Sequence, residues 1–479
     1  MTLKHQNEVS GAAPVPPPAE RNDICLCSMP SAPYLMPSQA LGILKAGLEA
    51  KNLGTTVIYA NMWYARLFGC EFASSVFPPR MRSVGLGEWL FASPFSKGPE
   101  ADADYLQAFA KWLAREVGER RGDLEQTMAE CRKYRDLSDD FVSKVADYIL
   151  STEARIVGCT SSFLQHTSSL ALFMALKRRK PDLITILGGS NCEAEMGRAT
   201  HQRFTFVDYV VSGEAEELLP WLCQELLERG ELSNQQNLPK GLWIPNHRND
   251  ESLEALDKAV GRAVCHDLNA SPIPDHGDYF RWLKHLQLDR HLHVGMPVEC
   301  ARGCWWGLKN PCTFCGLNGD CRDYREKPTA RVIEEIKIQS ERHDVTYFEF
   351  LDNIIGLEMA KTGLTDMAEH ITDKRFFYEV RPSLSHSQLQ RLRQAGITWV
   401  QAGVEGFHTN ILRHFNKNLA AWQIVLFLKH AREVGVRVGY NLLWGFPGFQ
   451  DEWYQEIMTW LPLVEHLCPP DRVRQVIYD

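Results

Sequence analysis

Nowhere does this sequence hold an apolar run long enough to act as a secretion signal or to cross a bilayer. Its first 22 residues place Pro14, Pro16, Pro17 and Pro18 among small and polar neighbours, with no apolar block between them. No later segment reaches the roughly 20 uncharged apolar residues that a membrane helix requires. The expectation is a disordered leader over residues 1–22 on a cytoplasmic protein without a membrane partner. Long Lys/Arg runs are also missing and the formal net charge is −8, so a dominant phosphate-backbone partner, and with it nucleic acid, is not expected. No G-x-G-x-x-G opens a helix, which removes the dinucleotide fingerprint. Length is not lacking. At 479 residues, 44% of them hydrophobic and 23% charged, the chain reads as globular and too long for a single core, so two or three domains are expected.

Cysteine is abundant instead, with 14 in the chain. Cys70, Cys131, Cys159, Cys192, Cys223, Cys265 and Cys468 are scattered singly through regular segments and read as small buried hydrophobes. Without a secretion signal, disulfides are disfavoured. The dense group from Cys300 to Cys321 needs a different reason.

Alternation of short apolar strands with helices organises the rest. Residues 24–27, 55–60, 155–159, 183–187 and 207–211 read as strands and residues 38–51, 168–179 and 215–229 as helices, with a helical insertion over 62–150. This pattern means a doubly wound parallel sheet over residues 23–230, with ligands beyond the carboxyl ends of its strands. Gly188-Gly189 lies at one such end, where missing side chains let a ligand approach the backbone. Residues 231–285 are polar and strand-poor and read as a connector. A second alternation over residues 286–479 has strands at 293–299, 346–351, 376–380, 398–404, 436–443 and 473–478. Six β/α repeats imply a partial (β/α)6 barrel with function at its carboxyl-end loops. The last strand coincides with the end of the chain, so a further C-terminal piece is expected.

The cysteine loop follows directly on the first strand of that barrel. Seven residues separate Cys304 from Cys312 and two separate Cys312 from Cys315. The closer spacing lets one turn present both thiolates to a metal centre. Three thiolates on a [4Fe-4S] cluster leave one iron open to a substrate, and Trp305, Trp306 and Phe314 can shield it. Two readings compete: a structural zinc site that recruits Cys300 or Cys321 as a fourth donor, and a set of unliganded buried thiols.

The strings Arg302-Gly303-Cys304-Trp305-Trp306-Gly307 and Cys312-Thr313-Phe314-Cys315-Gly316-Leu317-Asn318-Gly319 resemble the maturation radical SAM protein 1 family of ribosomal-peptide (RiPP) maturation, with its stretched cysteine motif. In that family the cysteine after Arg-Gly opens the motif, which implies Cys304, Cys312 and Cys315 as cluster ligands rather than Cys300. The resemblance runs on through Arg325 to Ile336, Phe348 to Ile354, Phe377 to Arg381, Gln401 to Glu405 and Asn441 to Gly448. It implies reductive cleavage of S-adenosyl-L-methionine (SAM) to a 5′-deoxyadenosyl radical, with electrons from an external donor such as flavodoxin or ferredoxin. Glu379 and Glu405, carboxylates at strand ends, suit a ribose hydroxyl or the SAM ammonium group, and Arg381 its carboxylate. Surface salt bridges are the bland alternative for all three.

Residues 157–189 and 207–214 resemble the cobalamin-binding domain of B12-dependent radical SAM enzymes, through the Lys177–Pro181 turn and the double glycine. Gly188, Gly189 and Gly213 are the expected cobalamin contacts. The Asp-x-His-x-x-Gly motif that supplies a lower histidine ligand is absent, so Ser161 to His166 is where other groups would cover the cobalt; for His166 itself a hydrogen-bonded loop histidine is favoured over a cobalt ligand. A domain that binds nothing is the alternative.

The resemblance therefore implies a cobalamin-dependent methyltransferase acting on an unactivated carbon in a precursor peptide. Epimerisation, thioether formation or another SAM-derived group transfer, on a peptide or a small molecule, is the second reading. A non-catalytic cobalamin- or metal-binding regulator is the third.

Overall fold

The computed structural model describes residues 15–69, 85–116, 121–232, 238–249, 253–290, 292, 294–316 and 323–475. It divides into two compact units, one formed by Met1–Cys265 with Ser271–His293 and the other by His266–Ala270 with Val294–Asp479. Of the expected leader, residues 15–22 are described and the rest lies outside the described residues.

The first unit is built on β1 (Ile24–Cys27), α1 (Gln39–Glu49), β2 (Thr55–Ile58), α2 (Ala60–Phe68), α3 (Leu86–Trp89), α4 (Pro99–Glu116), α5 (Arg121–Ser151) and β3 (Ile156–Thr160). It continues with α6 (His166–Arg179), β4 (Ile184–Gly188), α7 (Ala194–Arg203), β5 (Tyr209–Val211), α8 (Leu218–Arg229), β6 (Leu242–Trp243), α9 (Leu253–Val260) and α10 (Gly277–His285). The strand order is β2-β1-β3-β4-β5-β6. The first five are parallel, and every residue of β1 and β2 is buried. Such strands carry continuous apolar runs because helices cover both faces. The order places the topological switch point between β1 and β3.

One feature differs from the sequence reading. The segment read as a strand-poor connector contributes β6, which pairs antiparallel with β5 through Val210–Trp243 and Val211–Leu242. Two residues are too short a strand to show alternation. The helices of the insertion are held to α2 by aromatic rings, Trp63 and Tyr64 meeting Phe141 edge-on at 5.5 and 5.2 Å.

The second unit runs β7 (Met296–Val298), β8 (Ala301–Arg302), α11 (Trp305–Lys309), β9 (Arg325–Glu326), α12 (Thr329–His343), β10 (Tyr347–Phe350), α13 (Leu364–His370), β11 (Arg375–Val380) and α14 (His386–Gln394). Then come β12 (Ile397–Ala402), α15 (Thr409–His414), α16 (Ala421–Val434), β13 (Arg437–Gly439), β14 (Asn441–Trp444), α17 (Asp451–Trp460) and β15 (Arg472–Gln475). Strands β13-β12-β11-β10-β7 form one parallel sheet. The expected strand over 436–443 is broken at Tyr440, which accepts from Asp471 N instead of continuing the ladder. Beyond the break, β14 pairs with β15 and is bridged to Glu405, which lies just past β12. The partial barrel is therefore completed by side-to-side pairing after a step in the fifth strand. Among the described residues no helix is long and apolar enough to cross a membrane.

Candidate functional site

The cysteine loop begins where β7 leaves its neighbour. Leu351 N donates to Val298 O, and then the ladder stops, because Cys300 N and Ala301 N donate to the Asp352 carboxylate at 2.8 and 2.9 Å. The chain turns at Gly303, at φ +83, where a Cβ would lie 2.3 Å from Asp323 O; a side chain does not fit there. Cys304 caps α11, its sulfur accepting from Gly307 N at 3.3 Å. Cys315 N donates to Cys312 O, closing the turn that carries the second pair of thiols. Thr313 Oγ1 to His414 O and Asn416 Nδ2 to Pro311 O, both 3.0 Å, pin this turn to the end of α15. All three thiols are free; Cys304 and Cys312 are half-buried and Cys315 is exposed.

Burial pushes the Cys312 thiol up, opposed first by Lys417, and Cys315 and Cys304 push it further up. Cys312 therefore feels both of the other sulfurs. Two cations sit among them. The Arg381 guanidinium lies 3.4 Å over the Trp306 ring, donates to Lys417 O at 2.7 Å, and feels Cys312 and Cys304. Lys417 Nζ is 5.3 Å over Phe314 and 3.1 Å from Glu405. No three His, Cys, Asp or Glu side chains among the described residues converge on a single ion. A cubane takes one thiolate per iron and spreads its ligands accordingly. Three sulfurs in one loop, an N–H donated to the first and two cations near their charge fit such a cluster. Cys300 stands apart: it is fully buried, its Sγ 3.9 Å from Glu326, and burial drives its thiol well up. Cys321 lies outside the described residues, as do Leu317, Asn318 and Gly319.

The strand ends around this loop carry the carboxylates. Glu379 ends β11 beside Val380, and burial, reinforced by the Glu405 charge, pushes it up to about 7. Glu405 holds φ at +59, a strained value for a residue with a side chain, while its O accepts from Leu443 N at 2.9 Å. Arg381 is not a free arm, since it is already stacked and hydrogen-bonded.

At the carboxyl ends of the first unit's sheet the expected residues also gather. Gly189 has φ +101, and a Cβ there would lie 2.5 Å from Ser161 O; Gly213 has φ +99, with Ala263 O at 2.4 Å from its would-be Cβ. Ser161 N donates to Gly188 O at 2.6 Å. His166 is engaged on both ring nitrogens, Nδ1 with Ser161 Oγ at 3.0 Å and Nε2 with Thr200 Oγ1 at 3.2 Å. Burial holds it below the ordinary histidine value. The loops at the switch point are joined to each other: Gln165 Nε2 donates to Met29 O at 2.9 Å, and Ser31 N to Leu164 O at 3.3 Å. The N-terminus of α6 is taken by Glu88 of α3, whose carboxylate accepts from His166 N at 3.1 Å and Thr167 N at 2.6 Å.

Sequence reasoning missed Lys417, Asp352 and Glu88. Lys417 had a signal, since Asn416 and Asn418 on either side both adopt left-handed φ values of 55 and 52°, and asparagine is the residue that tolerates them. Asp352 and Glu88 act on partners far along the chain and had none.

Residues 298–461 match the Radical SAM superfamily, so the cysteine loop and the strand-end carboxylates all lie in a radical SAM domain. The anaerobic magnesium-protoporphyrin IX monomethyl ester cyclase of Rubrivivax gelatinosus is 25% identical over 272 residues, covering 55% of this chain and 44% of that protein. The hopanoid C-3 methylase of Methylococcus capsulatus is 24% identical over 302 residues, covering 59% and 51%. The chain thus spans about half the length of these two relatives. Among solved structures, the radical SAM methyltransferase TsrM of Kitasatospora setae, with cobalamin and a [4Fe-4S] cluster bound, is similar at TM-score 0.57 and 14% identity, over 95% of this chain and 75% of its own. The cobalamin-dependent SAM radical enzyme OxsB is similar at TM-score 0.58 and 13% identity, over 88% and 49%. At these identities the shared property is the fold: a doubly wound sheet followed by a partial parallel barrel.

Proposed function

We propose that the chain is a radical SAM enzyme that methylates an unactivated carbon with the help of cobalamin, its substrate a ribosomally made precursor peptide. The observation that carries this reading is the grouping of Cys304, Cys312 and Cys315 with Arg381, Lys417, Glu379 and Glu405 in a segment matched to the Radical SAM superfamily. When bound, a [4Fe-4S] cluster supplies the electron that splits SAM and cobalamin supplies the methyl carrier; the protein positions both and keeps water out.

The chain's own residues divide the remaining work. Cys304, Cys312 and Cys315 would hold the cluster through their thiolates, and three protein ligands on four irons would leave a place for SAM to bind. Arg381 and Lys417 offset the thiolate charge from one side, and Trp306 and Phe314 fix the cations in place. Glu379 and Glu405 would accept from the ribose hydroxyls and from the amino N–H groups of SAM. In the first unit, Gly188, Gly189 and Gly213 are the proposed cobalamin contacts, where the absent side chains at Gly189 and Gly213 let Ser161 and Ala263 pack against the strand ends. The names of TsrM, OxsB and the hopanoid methylase support cobalamin and methylation. The peptide substrate and an external electron donor of the flavodoxin or ferredoxin kind rest on the resemblance of the cysteine strings.

Anaerobically reconstituted protein with SAM, cobalamin and a reductant should release 5′-deoxyadenosine and yield a product one methyl group heavier. Absence of 5′-deoxyadenosine from cluster-loaded protein would sink the reading. The cyclase relative favours a second outcome on the same chemistry, in which 5′-deoxyadenosine forms but the product gains no methyl.

A further inference from the structure

One buried carboxylate spans three adjacent strands of the second unit. Asp352 follows the end of β10, which lies between β7 and β11, and is 2% exposed. One of its oxygens accepts from Cys300 N and Ala301 N, at the root of the cysteine loop beyond β7. The other accepts from the hydroxyl of Tyr378 on β11, whose ring stacks on Phe350 at 4.1 Å. Three residues later the same loop makes a second connection between the same partners. Ile355 O accepts from Trp305 Nε1 at 2.9 Å, next to Cys304, and Ile355 N donates to Glu379 O at 2.8 Å.

Packing alone does not account for an acid at this place. Burying a carboxylate costs several kcal/mol of desolvation, and an apolar side chain of similar size is often as stabilising or more so. What the acid provides is direction. Its two oxygens hold fixed donors on either side, so the cysteine loop and the end of β11 cannot shift independently. Asp352 is buried and both of its oxygens are engaged within the protein.

We infer that Asp352 is a positioning residue, which sets the Cys304 limb of the cysteine loop against the Glu379 end of β11, and so registers a bound cluster with the SAM that Glu379 would hold. This rests on the radical SAM reading. Asp352→Ala removes the acceptor for both backbone N–H groups. Asp352→Asn keeps an oxygen for them and turns an amide toward Tyr378, so it is the conservative rescue.

Both variants are reconstituted anaerobically beside wild type, with circular dichroism, iron and sulfide content, and the electron paramagnetic resonance spectrum of the reduced cluster with and without SAM. Asp352→Ala should retain iron and sulfide but lose the spectral change that SAM induces, with 5′-deoxyadenosine formation at least about tenfold slower, as a misplacement near 1 Å produces. Asp352→Asn should recover both to within about threefold of wild type. A merely structural role would lower iron content and folding in both variants alike, and that result overturns the inference. So does an Asp352→Ala protein that keeps the SAM-induced change and the wild-type rate. Should Asp352→Ala not fold, Tyr378→Phe carries the test, because it removes one of the three donors and opens no void. An altered SAM-induced spectrum is then expected, and an unaltered one overturns the inference. Cluster-loaded wild type that forms no 5′-deoxyadenosine sinks the radical SAM reading instead, a result separable from any difference between variants.

Discussion

The two rims of this molecule specify a site in opposite ways. At the carboxyl ends of the second unit's strands, chemistry is declared by side chains: Cys304, Cys312, Cys315, Arg381, Lys417, Glu379 and Glu405 each bring a charge or a ligating atom. At the corresponding ends in the first unit, the expected contacts are Gly188, Gly189 and Gly213, which bring no side chain and, at Gly189 and Gly213, leave room only for Ser161 and Ala263, while Ser161 and His166 use their polar atoms on each other. A site of the first kind tolerates no change of residue type. A site of the second kind tolerates many polar changes but no added volume.

Substitutions that treat the rims differently would break or sharpen this contrast. The largest effect is expected at the thiols. Replacing Cys304, Cys312 or Cys315 by Ala should abolish bound iron and 5′-deoxyadenosine formation, exceeding the roughly 10–100-fold loss typical of changes that only support a ligand, whereas Cys300→Ala should keep its iron in the same analysis. Next is Gly189→Val, which forces a branched side chain to φ +101 against Ser161 O. A cost of about 1–3 kcal/mol or more in denaturant unfolding is expected from the backbone conformation alone, with loss of cobalamin absorbance from the desalted protein. Its iron content should be unchanged; a parallel fall in iron would erase the contrast.

Glu379 comes third. Its carboxyl is pushed up to about 7, so it ionises as pH rises through neutrality, and the ionised form is the stronger acceptor for the amino N–H groups of SAM. SAM binding, followed calorimetrically, should tighten by roughly tenfold between pH 6 and 8, in step with the ionised fraction of one such group, and Glu379→Gln should flatten that profile. His166→Ala should do least. It forfeits two hydrogen bonds, each worth about 1 kcal/mol, yet cobalamin uptake should be unaffected, and the cob(II)alamin spectrum of wild type should show no imidazole nitrogen splitting.

The contrast also explains what was legible before the fold was known. Covalent spacing alone brings Cys312 and Cys315 together, so the cysteine loop announces itself in one dimension. Glu379 and Glu405 were visible because strand ends can be read from apolar runs. His166 was visible but its role was not, because Thr200 Oγ1, which takes its second nitrogen, is 34 positions away. Asp352 reads as one more loop acid until Cys300 and Tyr378, 52 and 26 positions distant, close on it. The step at Tyr440 and the two-residue β6 depend on pairing partners, not on local propensity. Lys417 falls between the two cases: its left-handed asparagine neighbours mark a turn, and only the fold says that the turn faces the thiols.

The seat of Glu88 has a consequence for whatever the first unit binds. Backbone N–H groups at the start of a helix, with the dipole behind them, form a natural cradle for phosphate. On α6 that cradle is already filled by a carboxylate delivered from the helical insertion. An incoming phosphate would meet a resident negative charge and two N–H groups already engaged, so it would gain little there without first dislodging α3. Ligand selection at this rim is thus exerted partly by a tenant the chain itself supplies.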